Sequence, residues 1–407
     1  MKRIIASSKG LRGDIRILLL ALVTVTQLIL SISTERSAYA QSATEKPSRT
    51  ALIDRFTAFD MALNKGEGYS SSDNAEGKLA WGESYLMESY LVMYEATHDK
   101  KWLDKFLAHG QRVVNNTDKA RGTKDYKGRS VVGWSSLIYS PQYGWKPGDK
   151  IQPSTVNKPW IMFWGHTGMI IYPFVNFAII VQGDPGLSGY TEQAASLVKV
   201  AEEAVAVFDK DWRFDASSGE GYFIAEKGEP ARGNQREPLD RDLAMGRVYI
   251  GLCKLGREQE YCERAKALAT MFKNRLKLEK DRYVWNGPGP HVEDISHGAI
   301  DITFACDAFD ARIEFTRNDM LLFSRTLTGA FNGSQFAQFI DGAGDDDSVY
   351  SYSLSSARWL DLSAFGCQPY KTVHSFFEKY LTTPRAMVSP QVLLGISKLI
   401  KYWERCM

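Results

Sequence analysis

Apolar residues recur at steps of three and four along most of the chain. Leu52, Phe56, Phe59 and Leu63 keep that spacing and predict a first helix. Residues 79–97 predict a longer one, with Glu83, Met87, Tyr90 and Tyr94 on one face, and the Asp99-Lys100 turn leads to Trp102, Phe106 and Val113 on the next. The same rhythm predicts helices over 160–181, 191–208, 238–255 and 258–276, a helix running from the Gly287 turn to about Phe315, and further helices over 318–331, 348–365, 369–381 and 389–406. About twelve helices result. The segment 160–181 is almost wholly apolar but contains His166 and Pro173, which suits an internal helix rather than a membrane span.

The helices tend to alternate between one rich in apolar and small residues and one that is amphipathic, and no run of alternating strand positions stands out. Six helical hairpins, each with an inner and an outer helix, would bury these faces by closing into an all-α (α/α)6 toroid. Open superhelical stacking is the other solution, and the lack of a strict sequence repeat favours closure. In a toroid the three long connections, 115–158, 209–235 and 279–293, all lead from an outer helix to an inner one. They would gather at one rim, and polar residues at the inner-helix starts would face one cavity: Glu83, His166, Arg236, Asp240, Arg241, His291, Asp294, His297 and Asp301.

The most concentrated candidate chemistry lies at the last of these starts. Gly287, Pro288, Gly289 and Pro290 form a turn that runs into His291, Glu293, Asp294, His297 and Asp301. If Glu293 or Asp294 opens a helix, Asp294, His297 and Asp301 share one face, polar at its N-terminal end and small at Ala305 and Ala308. A solvated helix start with acidic residues favouring the helix dipole fits the same pattern.

With 44% hydrophobic and 24% charged residues, the 407-residue chain has enough apolar content for one large core or two smaller ones, which argues against disorder. Residues 1–40 carry six basic and two acidic residues, an apolar run over 17–32 and the sequence Ala38-Tyr39-Ala40, a pattern that predicts a signal peptide cut before Gln41. Its loss would take the formal charge from +2 to about −2, leaving no basic field for nucleic acid. The expected product is a secreted or periplasmic single domain over 41–407 with no stable membrane span. Export permits disulfides: Cys253 with Cys262 would flank a helix turn, Cys367 with Cys406 would tie down the C-terminus, and Cys306 would be left over, although spacing alone proves neither pairing. No metal-ligand spacing or nucleotide loop is present, so no cofactor is expected; the acidic run at 341–347 lacks EF-hand spacing and reads as a solvated turn rather than a structural calcium site.

Trp81, Trp134, Trp145, Trp164, Tyr222, Tyr283 and Trp285 lie in or beside the long loops, where flat rings could stack on sugar faces; Trp102, Trp359 and Trp403 read as core. With Trp81-Gly82-Glu83, Trp164-Gly165-His166-Thr167-Gly168, Arg241 to Arg247 and Glu293 to Gly298 in view, the chain resembles the (α/α)-toroid carbohydrate-active enzymes, most of all exported polysaccharide lyases of the alginate and glucuronan type. The Asn-Asn-His-Ser-Tyr-Trp type run of one alginate lyase group is absent.

That resemblance implies β-elimination on an acidic polysaccharide. A uronate lyase must neutralise the carboxylate, remove the adjacent proton and protonate the leaving oxygen. His166 or His297 could act as base, Tyr283 or Tyr222 as acid, and Arg241 or Arg236 could hold the carboxylate; the catalytic set expected is His166, His297, Tyr283 and Arg241. Glu83, Trp81, Trp134, Trp164, Tyr222, Arg236, His291, Asp294 and Asp301 are expected to bind substrate. The alternatives are a glycoside hydrolase using two of Glu83, Asp240, Asp294 and Asp301, a uronate C5-epimerase, or a non-catalytic glycan-binding protein.

Overall fold

The computed structural model describes residues 48–138, 159–230, 233–287, 291–346, 351–383 and 386–407. The expected leader over 1–40, together with Tyr139, Tyr143, Trp145 and Asp347, lies outside the described residues. Arg49–Met407 form one compact unit.

Among the described residues, and apart from short helical turns in the connections, twelve helical segments alternate between two concentric layers. The outer layer is α1 (Arg49–Ala62), α3 (Lys101–Asn115), α5 (Thr191–Ala206), α7 (Gln259–Lys273), α9 (Arg317–Gly329) and α11 (Gln368–Thr382). The inner layer is α2 (Ser84–Thr97), α4 (Trp164–Gly183), α6 (Leu239–Lys254), α8 (Ile295–Asp310), α10 (an α-helical turn Ser351–Ser355 continued as the 3-10 helix Ser356–Ala364) and α12 (Pro390–Lys401). Each inner helix packs on the next, and α12 returns to α2, so the ring is closed; α1, the first outer helix, packs on α12, the last inner one. This is the (α/α)6 toroid.

Because one outer helix separates consecutive inner ones, all six inner helices run the same way. Short links such as 98–100 and 255–258 join inner to outer helices at one end, whereas the outer-to-inner connections, all long except 383–389, gather at the other. Every inner-helix N-terminus therefore meets the long-loop rim, with its positive dipole end towards the axis mouth.

The layers differ in burial as the pattern predicts. In α4, residues from Trp164 to Phe174 are buried without interruption, as helices flank it on all sides. It is long and apolar enough to cross a membrane, yet 83% of its most apolar window is buried inside the protein. In α3, by contrast, only one stripe (Trp102, Leu103, Phe106, His109, Gly110 and Val113) faces inward.

Glycines set how near α4 and α6 approach. A Cβ on Gly168 would lie 2.6 Å from the Met245 nitrogen, and one on Gly165 would lie 2.8 Å from the Arg241 Cβ. The two glycines of the Trp164 to Gly168 stretch thus serve helix packing.

Several expected boundaries shift for local reasons. The second helix opens with a π-helical turn, Leu79–Glu83. The fourth begins at Trp164 rather than at residue 160, after an extended Phe163. Helix α8 ends at Asp310, since Arg312 and Glu314 adopt left-handed φ values of 60° and 57°. The last predicted helix breaks at Tyr402 into α12 and a final turn, Trp403–Cys406.

Strands were not expected, yet two short hairpins occur: β1 (Trp212–Asp215) with β2 (Glu220–Phe223), and β3 (Lys277–Glu279) with β4 (Arg282–Val284). Three- and four-residue strands are too short to show a period, and the first turn is closed by the Asp215 carboxylate accepting from Ser217 and Ser218. Disulfides join Cys253 to Cys262 and Cys367 to Cys406, while Cys306 is a buried thiol.

Below the rim, all six inner helices contribute to one buried polar tier. Arg247 (α6) donates to Asp307 of α8 at 2.8 Å, lies 3.5 Å from Glu88 of α2 and stacks its guanidinium 3.5 Å over the Tyr172 ring of α4. Lys398 (α12) pairs with Asp361 of α10 at 2.6 Å and approaches Glu88 at 3.6 Å. Removing one partner strands a buried charge, which costs about 3–5 kcal/mol. We expect Arg247→Ala to lose stability in that range in urea denaturation, and Gly168→Ala to lose about 1–3 kcal/mol by overpacking. A Gly168→Ala protein as stable as wild type would show that α4 and α6 do not need their close approach.

Candidate active site

The site is built around a short extended segment before α8. Glu293 donates its N–H to the Trp285 carbonyl, its own carbonyl accepts from Ile340 N–H, and Ile295 N–H donates to Gln338. Residues 292–295 are thus clamped between two loops. Asp294 then caps α8, accepting from the Ser296 and His297 N–H groups at 2.7 and 2.8 Å. One residue earlier, the Glu293 side chain turns inward and packs on Gly287, where a Cβ would meet its Oε1 at 2.8 Å.

Glu293 is buried; Oε1 accepts from Asp294 N–H, and Oε2 has no hydrogen-bond partner among the described residues. Burial, followed by the Asp240 charge, raises its carboxyl to about 8. Asp301, two turns further on, is fully buried, with Oδ2 accepting from Trp285 Nε1 at 2.8 Å and Oδ1 unpartnered among the described residues. Burial, then the charges of Glu293 and Asp240, pushes its carboxyl well above the usual range. Asp240, at the start of α6, is also buried. Three carboxyl groups from two inner helices thus feel one another around the mouth of the axis.

His297 is half exposed, with a side-chain accessibility of 49%, and its Nδ1 lies 2.6 Å from Asp294 Oδ2. Burial lowers its pKa, but the bond to Asp294 and the charges of Asp240, Asp294 and Glu293 outweigh that and raise it to about 10. At neutral pH it is an imidazolium that donates to Asp294. Asp294, whose burial is outweighed by His297, is held below its ordinary value as the carboxylate partner. Glu293, Asp294 and His297 also bring potential metal-ligand atoms within 4.8 Å of one another, a carboxylate and imidazole set that suits a divalent ion only once His297 gives up its proton.

The remaining expected residues divide between the mouth and other places. His166 is buried near Trp81, with ring centroids 5.0 Å apart, and Arg241 bonds Glu237 at 2.5 Å near the Phe163 ring. A Cβ on Gly77 would touch both His166 and Trp81, so this loop is close-packed against the start of α4. His291 is exposed at the rim.

Other expected residues have different roles. Glu83 is wholly buried and accepts from His109 Nδ1 at 2.6 Å and Tyr69 N–H at 2.7 Å; it ties α2 to α3 and to the preceding loop. Trp134 is fully buried and donates to the Val113 carbonyl. Trp164 is buried too, donating to Asp242 and stacked on Phe223. Neither tryptophan offers a face to a sugar. Tyr283 lies in the β3–β4 hairpin and donates to Asp319 of outer helix α9 at 2.6 Å, a carboxylate that Lys273 of α7 also holds at 2.5 Å, so it belongs to the outer layer. Burial and that bond raise its pKa, which removes it as a ready acid or base. Tyr222 and Arg236 stack on each other with the guanidinium 4.0 Å from the ring centre, outside the carboxyl cluster.

Sequence reasoning gave no site role to Tyr85, to Ser296 (read only within the Glu293 to Gly298 stretch) or to Arg358. Arg358 (α10) is buried; it donates to Tyr85 Oη at 2.9 Å and to the Ser296 carbonyl and Oγ at 2.7 and 3.0 Å. It ties α2, α8 and α10 together beneath the mouth. A lone charged residue within the otherwise uncharged stretch 351–360 was the available signal. Glu293, read only as part of a helix start, has the strongest case for chemistry. In the acidic run, Asp346 caps the start of α10 by accepting from Tyr352 and Ser353 N–H groups.

No protein-family model matches the chain, and no curated protein does. Among solved structures, it is similar to an unsaturated glucuronyl hydrolase from Bacillus sp. GL1, with 13% identity over 88% of this chain and 97% of that one and a TM-score of 0.52. It is also similar to an inactive variant of the GH76A α-1,6-mannanase of Salegentibacter sp. HEL1_6, solved with α-1,6-mannotriose: 10% identity over 87% of this chain and 98% of that one, TM-score 0.50. At these identities the likeness establishes the shared (α/α) toroid.

The raised carboxyl has a signed consequence. Folded Glu293 keeps its proton to about pH 8, whereas an unfolded glutamate releases it near 4.5. Between these values the folded state binds the extra proton, so stability is full below the lower one and is lost as pH rises through the upper, at a slope on the order of 1.4 kcal/mol per pH unit. We expect Glu293→Gln to gain stability over wild type between pH 5 and 8 in pH-resolved urea denaturation. A difference that does not change with pH would mean that Glu293 is ionised in the fold.

Proposed function

We propose that the chain is a glycoside hydrolase in which Glu293 is the general acid and Asp240 the opposing carboxylate. The observation that carries this reading is Glu293 itself: a buried carboxyl with one oxygen unpartnered among the described residues, kept protonated at neutral pH beside other acids. Hydrolysis of a glycosidic bond needs one carboxyl that retains its proton for the leaving oxygen and one that ionises to act as base or nucleophile. Burial and the Asp240 charge sustain the protonated state of Glu293. The His297 imidazolium would offer its remaining N–H to a sugar hydroxyl, and Trp81 a flat face.

β-Elimination receives less support. His297 carries a proton and is locked to Asp294, so it is a poor base, and Tyr283 sits in the outer layer. The fold relatives are also named for hydrolysis: one as a mannanase, inactive with two neighbouring aspartates replaced by asparagine, the other as an unsaturated glucuronyl hydrolase. We infer a glycan substrate and export to the periplasm or medium. Two disulfides support an oxidising destination.

The test is to incubate the purified chain from Gln41 onward with α-mannans, glucuronyl oligosaccharides and polyuronates, following reducing ends and absorbance near 235 nm together. We expect new reducing ends without absorbance, activity that falls as pH rises through about 8, and losses of roughly 10²–10⁴-fold in Glu293→Gln and Asp240→Asn. A rise at 235 nm would establish elimination instead. Unchanged activity in Glu293→Gln would overturn the assignment.

A further inference from the structure

Beside the carboxyl cluster lies a second cleft of about 240 Å³, lined by Arg236, Glu237, Asp242, Met271, Arg275 and Gly287 among others. Gly287 lines this cleft and also packs on the Glu293 carboxyl. Two guanidinium groups from different elements meet in this cleft, Arg236 from the loop before α6 and Arg275 from just past α7.

Like charges are seldom brought together without an anion between them, and the local carboxylates do not fill that role well. Glu220 is the one that faces both: its Oε2 lies 3.7 Å from Arg236 and accepts from Arg275 at 3.5 Å, both long for a guanidinium–carboxylate bond, while its Oε1 accepts from Asn274 at 3.0 Å. Glu237 faces Arg241, and Asp242 is held by Trp164 and the Phe223 N–H. Arg236 makes its short contact with the Met271 sulfur at 3.0 Å, a weak acceptor, and lies flat on Tyr222. Arg275 donates to the Met271 carbonyl. Burial, then the charge of Arg236, lowers the pKa of Arg275 against the opposing charges of Glu220 and Asp242, consistent with a guanidinium pair that these carboxylates do not fully offset. Stacking fixes the Arg236 fork before any ligand arrives, which reduces the entropy lost on binding.

We propose that the Arg236–Arg275 cleft is an anion-binding subsite that takes a carboxylate or ester-sulfate substituent of the glycan while the neighbouring bond lies against Glu293. This rests on the glycan reading above and adds to it a substrate bearing an anion about one sugar from the cleavage point. A planar carboxylate or a sulfate face can accept from both guanidinium groups at once.

The test is calorimetric titration of the full chain from Gln41 with sodium glucuronate and with sodium sulfate, using methyl glucoside as the neutral control. It is repeated in Glu293→Gln, Arg236→Gln, Arg275→Gln and Arg236→Lys. We expect at least one anion to bind in the millimolar range with no binding of the control, and each arginine-to-glutamine change to weaken it about tenfold or more. Arg236→Lys should fall between, since it keeps the charge but loses the fork, and circular dichroism verifies that the variants fold. Tighter glucuronate binding would identify a uronate substituent, and tighter sulfate binding a sulfate ester. Anion binding retained in Glu293→Gln separates this subsite from the hydrolytic assignment. No binding of either anion, or binding undiminished in both glutamine variants, overturns the proposal even if hydrolysis is found.

Discussion

Closing a ring of helices creates an axis that has to be filled, and in this protein it is filled with charge. Glu88, Arg247, Asp307, Asp361 and Lys398, with Tyr172, bring one side chain from each of the six inner helices into a single buried tier. Burying Glu88, Arg247 and Lys398 and partly burying Asp307 and Asp361 is costly, and apolar side chains of the same volume would fill the axis at less electrostatic expense. What the ionic arrangement adds is register: each pair forms only when the two helices are at the same height, so the tier fixes the depth of all six inner helices together.

The mouth of the axis depends on that register. Arg358 carries it upwards, since its carbonyl accepts from Lys398 in the tier while its guanidinium holds Tyr85 and Ser296 above. Ser296 lies in the first turn of α8, between the capping Asp294 and His297. The height at which Glu293 and Asp301 face Asp240 is therefore set several turns below, by groups that would not touch a substrate.

Two opposite electrostatic solutions occupy the same helix start. Asp294 and His297 stabilise each other's charges through a 2.6 Å contact, whereas Glu293 and Asp301, on the buried side, are crowded with like charge and hold their protons. The start of α8 and its first two turns thus present an ion pair outward and neutral acids inward. That division is what lets groups of ordinary chemistry adopt an acid and a cation role side by side at neutral pH.

Much of the architecture was legible in the sequence because helix formation and burial are local and periodic. The spacing of Leu52, Phe56 and Phe59, the all-apolar stretch of α4 and the alternation of helix types lead to inner and outer layers, and the long connections to a single rim. The helix start at Asp294 was legible too, as was the cysteine arithmetic. What tertiary structure alone decided was which polar groups lose water and which meet. Glu83, at an inner-helix start, finds His109 on an outer helix and becomes structural; Trp134 and Trp164 donate inward to Val113 and Asp242; Tyr283 is drawn to Asp319 by a hairpin too short to leave a periodic trace. Glu293, one residue before a cap, turns inward because the loops at 285–287 and 338–340 clamp its backbone. A carboxyl's pKa depends on its depth and on neighbours distant in the chain, and these the linear pattern does not encode.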